Sequence, residues 1–411
     1  MVSEDRWLLP EGIEELLPAE ARHLEFLRRY VLDLFESWGY RQVMTPMIEY
    51  IESLLVGTGH DLDLQTFKLI DQISGRLLGV RADMTPQVAR IDARNSRPDL
   101  PARLCYLGTV LHTQADHLEK TRSPFQVGAE LYGHAGCASD LEVIRLMLEM
   151  FSMTGLLDNI HLDLGHVGIY RGLVAQAGLN ASQEAELFEI LQRKAAPDLR
   201  EFFQANTVAP DAARMLSALV DLHGDASVID EARIQLAGGN GQVREALADL
   251  TTIAQALSAR FPDLPIHFDF AELRGYHYHR GVVFAALAQG YGRELARGGR
   301  YDGIGKPFGQ ARPATGFSAD LNVLARLAGS GPDPFVERTV FAPCADEADL
   351  QAKVDQLRAE GWCVIGELAG QTASAADQGC RFELQKRAGG WELFPVERHT
   401  LHAMANQDSA P

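Results

Sequence analysis

Apolar residues recur at helical spacing early in the chain. Within residues 18–38, one face carries Leu24, Leu27, Val31, Leu34 and Phe35. This is the pattern of an amphipathic helix, and Gly39 follows it where a helix commonly ends. We therefore predict a helix that packs one face against a core.

The next hundred residues alternate apolar and polar positions, which is typical of strands. The run YRQVMTPMIEY is interrupted by Pro46, which we place at an edge, a bulge or a dimer seam because proline cannot donate to a sheet. A hairpin is predicted around QISG, then a short helix opened by Thr85 and Pro86. Two strands follow over 103–114 and 123–133, and Ser139 with Glu142 predicts a capping box.

The remaining pattern divides the chain into domains. We predict a core over residues 1–328, which contains a helical insert at about 168–260, and a small α/β domain over 335–397 behind a glycine- and proline-rich linker. The last residues, 398–411, are predicted to form a polar tail.

Composition narrows the class of protein. At 411 residues and 46% hydrophobic, the chain resembles an ordinary globular protein, and it shows neither a signal peptide nor a membrane-spanning run. We therefore expect a cytoplasmic protein without a membrane partner. Five cysteines lack a CxxC pair, which gives no support for disulfides or zinc. The net charge of −18 disfavours nucleic acid as a partner, although a local basic patch could override it.

Residues 273–281, LRGYHYHRG, are the densest cluster of functional side chains. As a strand, this segment would place Arg274, Tyr276 and Tyr278 on one face and two histidines on the other. Histidines at positions i and i+2, without nearby carboxylates or cysteines, do not make a metal site. We predict no metal and interpret the tyrosine face as the wall of a pocket.

A second candidate face lies on the strand FQVGAEL. Gln126 and Glu130 share one side of it by alternation. A carboxylate that faces an apolar interior needs a cation, which could come from a ligand ammonium or from an arginine such as Arg274. The run GGRYDG at 298–303 is a tight turn with little meaning alone.

In order along the chain, these segments resemble the catalytic core of the class II aminoacyl-tRNA synthetases, and of histidyl-tRNA synthetases in particular. The run that ends at Pro46 resembles the first class motif, GTVLHTQ through FQVGAELYG the second and PATGFSADLNVL the third. LRGYHYHRG and GGRYD resemble two histidine-specific signatures. The resemblance implies an α+β fold: an antiparallel sheet flanked by helices, with a helical insert and a small C-terminal α/β domain that resembles a reduced anticodon-binding domain.

The chain departs from the synthetase pattern where ATP is bound. His112 and Gln114 occupy positions that carry the phosphate-binding arginine and an acid in the family, and Asn322 and Val323 replace the glutamate and arginine that end the third motif. Valine cannot make the bidentate contacts of a guanidinium with phosphate. We therefore expect a degenerate ATP site, no catalytic residue and no cofactor.

The amino-acid side of the synthetase pocket is retained. The resemblance implies that histidine is held by Asp83, Thr85, Gln126, Glu130, Arg274 and Tyr278 together with the GGRYD turn, with Asp83 shortened from the family's glutamate. A chain with a histidine pocket and no ATP site resembles the regulatory subunits of ATP phosphoribosyltransferase. That family implies a non-catalytic chain in histidine biosynthesis, required by a short-form catalytic subunit and for feedback inhibition by L-histidine, and a dimer of this subunit within a hetero-octamer-like complex.

Two alternatives stay open at this stage. One is a divergent but active histidyl-tRNA synthetase, which requires another arginine, such as Arg122, to reach the phosphate. The other is a histidine- or tRNA-sensing paralogue with a different partner. The acidic charge and the short C-terminal domain argue against tRNA.

Overall fold

A computed structural model describes residues 8–396, apart from 57–59, 96, 98, 116–120, 272, 274, 277, 310 and 330–335. The chain divides into two units, Met1–Gly329 and Ser330–Pro411. The predicted tail, 398–411, and most of the predicted linker lie outside the described residues.

The first unit is built on a nine-stranded sheet with the order β1-β5-β6-β12-β11-β10-β7-β9-β8. The strands that form it are β1 (Arg41–Gln42), β5 (Ala102–Thr109), β6 (Phe125–Tyr132), β7 (Ile160–His166), β8 (His223–Gly224), β9 (Ile266–Asp269), β10 (Val282–Ala288), β11 (Glu294–Arg300) and β12 (Ala314–Asp320). From β5 to β7 every neighbouring pair is antiparallel. Parallel pairs occur only toward the two edges, at β1–β5 and β7–β9.

The strands of a smaller antiparallel sheet lie in sequence between β1 and β5 of the main sheet. Its order is β2-β4-β3, and its strands are β2 (Ile48–Tyr50), β3 (Lys68–Ile70) and β4 (Leu77–Val80). The last two strands form the hairpin predicted around QISG, since their pairing joins Ile70 to Leu77. Pro46 lies in the loop that joins β1 to β2.

Helices pack on both faces of the large sheet, α1 and α5 on one face and α4 on the other. The helices of this unit are α1 (Pro18–Ser37), α2 (Ile51–Leu54), α3 (His60–Gln65), α4 (Thr85–Asn95), α5 (Cys137–Met153), α6 (Val167–Ala177), α7 (Ala181–Gln192), α8 (Ala196–Ala205), α9 (Pro210–Ala218), α10 (Val228–Gln235), α11 (Gly241–Arg260) and α12 (Leu321–Ala328). Between β7 and β9 the regular elements are the six helices α6 to α11 and the two residues of β8, joined by short loops. No helix in the described part of the chain is long and apolar enough to cross a membrane.

Alternation along β6 separates the core from the opposite face of the sheet. Val127, Ala129 and Leu131 are buried in the main hydrophobic core, beneath α1 and α5. The residues between them, including Gln126 and Glu130, therefore point to the other side of the sheet. This face carries the site described below.

The predicted capping box of α5 is wrong. The helix begins at Cys137 rather than after Ser139, and Gly136 occupies the cap position without a side-chain hydrogen bond. The Ser139 hydroxyl instead donates to the Gly136 carbonyl at 2.8 Å and accepts from the Arg300 guanidinium at 2.7 Å. The Ser139 hydroxyl thus binds a buried arginine instead of capping the helix. The spacing of Ser139 and Glu142 in the sequence could not reveal this contact.

The second unit is a small α/β sheet. It consists of β13 (Thr339–Ala342), α13 (Ala348–Ala359), β14 (Cys363–Gly366), β15 (Phe382–Arg387) and β16 (Gly390–Pro395). The strand order is β14-β13-β15-β16, in which β13 is parallel to both neighbours and β15 forms a hairpin with β16. Val340, Leu350, Val354, Leu357 and Leu384 form its core.

Candidate functional site

A cavity of about 780 Å³ lies on the face of the large sheet opposite α1 and α5, the face on which α4 packs. The strands β6, β11 and β12 contribute to its wall, together with the start of α4 and the segment that precedes β10. Asp83, Thr85, Gln126, Glu130 and Tyr278 all line it. Five of the six residues predicted to bind histidine therefore share one cavity, and the sixth, Arg274, lies outside the described residues.

Glu130 is a buried acid in the wall of this cavity. Its side chain is 1% exposed. The hydroxyl of Tyr106 donates to one carboxyl oxygen at 3.0 Å, and that of Tyr301 donates to the other. On the neighbouring strand, Gly316 faces the carboxyl group, where a Cβ atom would lie 1.5 Å from it. Glycine is thus required opposite Glu130 because any side chain would displace the carboxyl group.

Burial controls the ionisation of Glu130. It raises the pKa of Glu130 to about 8, and the nearby charge of Asp83 acts in the same direction, whereas the hydroxyls of Tyr301 and Tyr106 oppose the shift. In the part of the chain that the structure describes, no cation pairs with this carboxyl group. A cationic ligand group would stabilise its ionised form, as the sequence suggested.

Asp83 forms a second acidic position at the end of a loop that leads into α4. The amide nitrogen of Gln126 donates to Asp83 Oδ1 at 2.8 Å, and the backbone nitrogen of Thr85 donates to the same oxygen at 3.0 Å. The carbonyl oxygen of Gln126 in turn accepts from the backbone of Met84 at 3.0 Å. Both halves of the Gln126 amide are therefore held, which orients the group.

Thr85 connects the two acidic positions. Its hydroxyl lies 2.9 Å from Tyr106 Oη, and Tyr106 in turn contacts Glu130. A continuous set of hydrogen bonds thus runs from Asp83 to Glu130 along one side of the cavity. Such a network holds its members in one geometry before a ligand arrives.

The strand predicted over residues 273–281 is wrong. Its described residues form no strand but turns, in which the backbone nitrogens of Tyr278 and His279 both donate to the carbonyl of Gly275, at 2.8 and 2.7 Å. Gly275 has a φ of 68°, which interrupts an extended conformation. Alternation therefore fails here.

The two tyrosines of this segment consequently have different surroundings. Tyr276 is buried in the core, where its ring centroid lies 5.1 Å from that of Tyr170. Tyr278 stacks on Tyr301 with 5.1 Å between the centroids, and its buried hydroxyl has no hydrogen-bond partner among the described residues. Only Tyr278 fits the predicted pocket wall, and His277, like Arg274, lies outside the described residues.

Three of the four positions predicted to mark a degenerate ATP site, His112, Gln114 and Val323, line the same cavity. The ring of His112 donates from Nε2 to the carbonyl of Ala82 at 2.9 Å. Asn322 is the exception: it does not line the cavity, and it lies in the first turn of α12, where its backbone nitrogen donates to the side chain of Asp320 at 3.0 Å.

The side chain of Arg122 makes its contacts outside the cavity wall. Its guanidinium donates to the carbonyls of His112 and Glu11 at 3.0 and 3.2 Å and lies 4.9 Å from the centroid of the Phe67 ring. It is not among the residues of the cavity wall. The geometry therefore gives no support to a phosphate contact by Arg122.

Sequence reasoning missed several residues of the site. Tyr106 supplies one of the two hydroxyls on Glu130, and Arg293 and Arg297 of the β11 region line the cavity wall. The other hydroxyl belongs to Tyr301 of the GGRYD turn, which the family resemblance had placed at the pocket. Tyr106 lies on a predicted strand. Its contact with Glu130 could not be predicted, because the pairing of two strands cannot be read from the sequence of either strand alone. Among the described residues, no group of three or more His, Cys, Asp or Glu side chains could hold a metal ion.

Two family models match the chain. The model described as histidyl-tRNA synthetase matches residues 12–324. The model described as the ATP phosphoribosyltransferase subunit HisZ C-terminal domain matches residues 337–394. The two matches fall within the two structural units.

Curated relatives match over nearly the whole chain. An ATP phosphoribosyltransferase regulatory subunit from Methylococcus capsulatus is 59% identical over 96% of this chain and 97% of its own. The protein of the same name from Thioalkalivibrio sulfidiphilus is 57% identical over 92% of this chain and 96% of its own.

Solved structures show the same fold. An ATP phosphoribosyltransferase regulatory subunit/histidyl-tRNA synthetase from Bacillus halodurans has a TM-score of 0.78 at 28% identity, and it covers 90% of this chain and 95% of its own. A histidyl-tRNA synthetase from a Nostoc species has a TM-score of 0.74 at 20% identity over 92% of this chain and 91% of its own, a likeness of fold alone. The predicted class II synthetase-like α+β fold is confirmed.

Proposed function

The chain belongs to the family of ATP phosphoribosyltransferase regulatory subunits, and from that membership we propose that it binds free L-histidine and reports its concentration to a short-form catalytic subunit. It does no chemistry of its own. It acts as a dimer within a hetero-octamer-like complex, activates the catalytic subunit and makes the complex sensitive to feedback inhibition by histidine.

One observation carries this proposal: the cavity keeps an ordered acidic side and lacks the synthetase's phosphate arginines. Asp83 and Glu130 provide two positions for the basic groups of histidine, its ammonium and its imidazole, and hydrogen bonds connect them. The motif positions that should bind ATP hold His112, Gln114 and Val323. A ligand can therefore be held without the charge stabilisation that a phosphoryl-type transition state requires.

Inhibition follows from differential binding. Histidine can shift the complex only if it binds the inactive arrangement more tightly than the active one, by a coupling of about 1–3 kcal/mol in typical allosteric proteins. Binding of histidine in the cavity must therefore change the interface between this chain and the catalytic subunit.

The test is the rate at which the catalytic subunit forms phosphoribosyl-ATP from ATP and phosphoribosyl pyrophosphate. We expect activation by this chain and progressive inhibition as histidine is added. Glu130→Gln should keep activation and lose inhibition, because it removes the carboxylate while it leaves the surface of the chain unchanged. Glu186→Gln, at an exposed position on α7, is the matched control and should behave as the wild type.

Two results would redirect the assignment. Histidine-dependent exchange of pyrophosphate into ATP by this chain alone would identify an active synthetase. Binding of tRNA at moderate salt, with no effect on phosphoribosyl-ATP formation, would favour a paralogue with a different partner.

A further inference from the structure

We infer that Asp320 excludes phosphate-bearing ligands from the cavity, and thereby makes it selective for the free amino acid over nucleotides and nucleotide-linked histidine. The inference rests on the proposed function and deepens it, because it names a residue that rejects the other substrate of a synthetase. The absence of the motif arginines only removes an attraction for phosphate, whereas Asp320 adds a repulsion.

Strand register places Asp320 beside the acidic side of the cavity. It is the last residue of β12 and pairs with Gln126 on β6, and paired residues of antiparallel strands share a face, with their Cα atoms about 5 Å apart. Both residues line the cavity. A ligand that contacts Asp83 and the Gln126 amide therefore lies next to Asp320.

Asp320 also stands on the side of the cavity where the resemblance places ATP. It immediately precedes α12, three residues before Val323, the position of an ATP-binding arginine in the family. His112, another of the motif positions, is near enough that a positive charge on its ring would stabilise the Asp320 carboxylate. Asp320 and these two residues all line the cavity.

The carboxyl group of Asp320 occupies the position that an anionic ligand would take at the start of α12. Its Oδ1 accepts from the backbone nitrogens of Asn322 and Phe125, both at 3.0 Å. The free N–H groups at the start of a helix attract anions, and here an internal carboxyl group already satisfies them. A phosphate could bind the same N–H groups only by displacing the Asp320 side chain.

Burial strengthens the effect of this charge on a ligand. Oδ2 of Asp320 is buried and has no hydrogen-bond partner among the described residues. Burial raises the pKa of Asp320, whereas the N–H groups of Asn322 and Phe125 and the charges of Arg326 and His112 lower it. Because the carboxylate is shielded from water, its charge acts on a ligand in the cavity with less screening than that of an exposed carboxylate.

The experiment compares two ligands that carry the same histidyl group. One is L-histidinamide, and the other is histidyl sulfamoyl adenosine, in which the amide nitrogen bears an anionic sulfamoyl group linked to adenosine. Calorimetry on the full-length chain should show that the wild type binds the larger ligand no more tightly than histidinamide. In Asp320→Asn, the affinity for the larger ligand relative to histidinamide should rise by about 10- to 100-fold, because a like-charge repulsion has been removed.

A second variant and a matched control support the comparison. Asparagine and serine are about as good as aspartate at the start of a helix, so Asp320→Asn and Asp320→Ser should both fold and both show the rise. Asp33→Asn, the same substitution at an exposed position on α1, should keep the wild-type ratio of affinities.

Other outcomes overturn the inference. An unchanged ratio in Asp320→Asn would show that the charge of Asp320 does not exclude the nucleotide, and a rise in Asp320→Ser alone would assign the exclusion to the size of the side chain instead. Wild-type protein that bound histidyl sulfamoyl adenosine more tightly than histidinamide would refute this inference alone and leave the proposed function standing. If the wild type bound neither histidine nor histidinamide, the proposed function would fail, and this inference with it.

Discussion

Replacing Glu130 by glutamine should stabilise the ligand-free protein, and the gain should grow with pH. The carboxyl group has its pKa raised to about 8 in the folded chain, whereas a glutamate in an unfolded chain titrates at about 4.3. Between these values the folded state holds a proton that the unfolded state has released. The free energy of unfolding therefore falls as pH rises through this interval, and it levels off above the folded pKa.

The size of the effect follows from the width of that interval. Each pKa unit corresponds to about 1.4 kcal/mol, so ionisation of Glu130 costs the folded state up to about 5 kcal/mol. Relaxation and water entry reduce this figure, which is an upper bound. Glutamine has no such titration, and its carbonyl oxygen can accept from one of the hydroxyls of Tyr106 and Tyr301 while its amide nitrogen can donate to the oxygen of the other.

The assay is urea denaturation of the wild type and of Glu130→Gln, followed by circular dichroism at several pH values without ligand. The free energy of unfolding of the variant, minus that of the wild type, should rise by up to about 4 kcal/mol between pH 5 and pH 8. Glu186→Gln, an exposed substitution on α7, is the matched control for the removal of a carboxylate. A constant difference between Glu130→Gln and the wild type across this range would refute the reasoning.

Three further substitutions test the site and the core. Gly316→Ala would place a Cβ atom 1.5 Å from Glu130 Oε2 and displace the carboxyl group. Calorimetry should therefore show that the affinity for histidine falls by at least about tenfold. An unchanged affinity would contradict the assignment of this cavity wall. Tyr301→Phe removes a hydroxyl from that carboxyl group and should weaken histidine binding by about 1–2 kcal/mol, whereas equal binding would show that the hydroxyl does not matter. Arg312→Met removes the guanidinium that lies 2.9 Å from the buried carboxylate of Asp92 and should destabilise the chain by about 3–5 kcal/mol in thermal denaturation. A loss below about 1 kcal/mol would mean that Asp92 takes up a proton at little cost.

The sequence was informative where its pattern is periodic. Alternation on β6 correctly put Gln126 and Glu130 on one face, because a strand in a sheet with one buried face must alternate. It failed over residues 273–281, where turn hydrogen bonds onto Gly275 decide the conformation. Glycine can adopt a positive φ at little cost, and one such residue ends the alternation.

Contacts between residues far apart in the chain could not be predicted from the sequence. The hydroxyl of Tyr301 reaches Glu130 from a residue 171 positions away, and Arg297 joins the same cavity through its pairing with Ser318. Both depend on the order of strands in the sheet, which a single sequence does not state. Family resemblance supplied the retained residues of the pocket, but it could not identify Arg297, since that residue lies outside the matched binding positions.

The proposed loss of the ATP-binding arginines fits the proposed role as a histidine sensor for a thermodynamic reason. A synthetase removes bound histidine by activating it, so occupancy of its pocket depends on turnover. In a chain that only binds, occupancy depends on the concentration of free histidine and on affinity alone. One pocket with about 1–3 kcal/mol of coupling cannot invert an equilibrium from 1:99 to 99:1, which takes about 5.5 kcal/mol. Several such pockets that act on one concerted transition can, so strong inhibition through this site requires several copies of the chain in the complex and a Hill coefficient for histidine above 1.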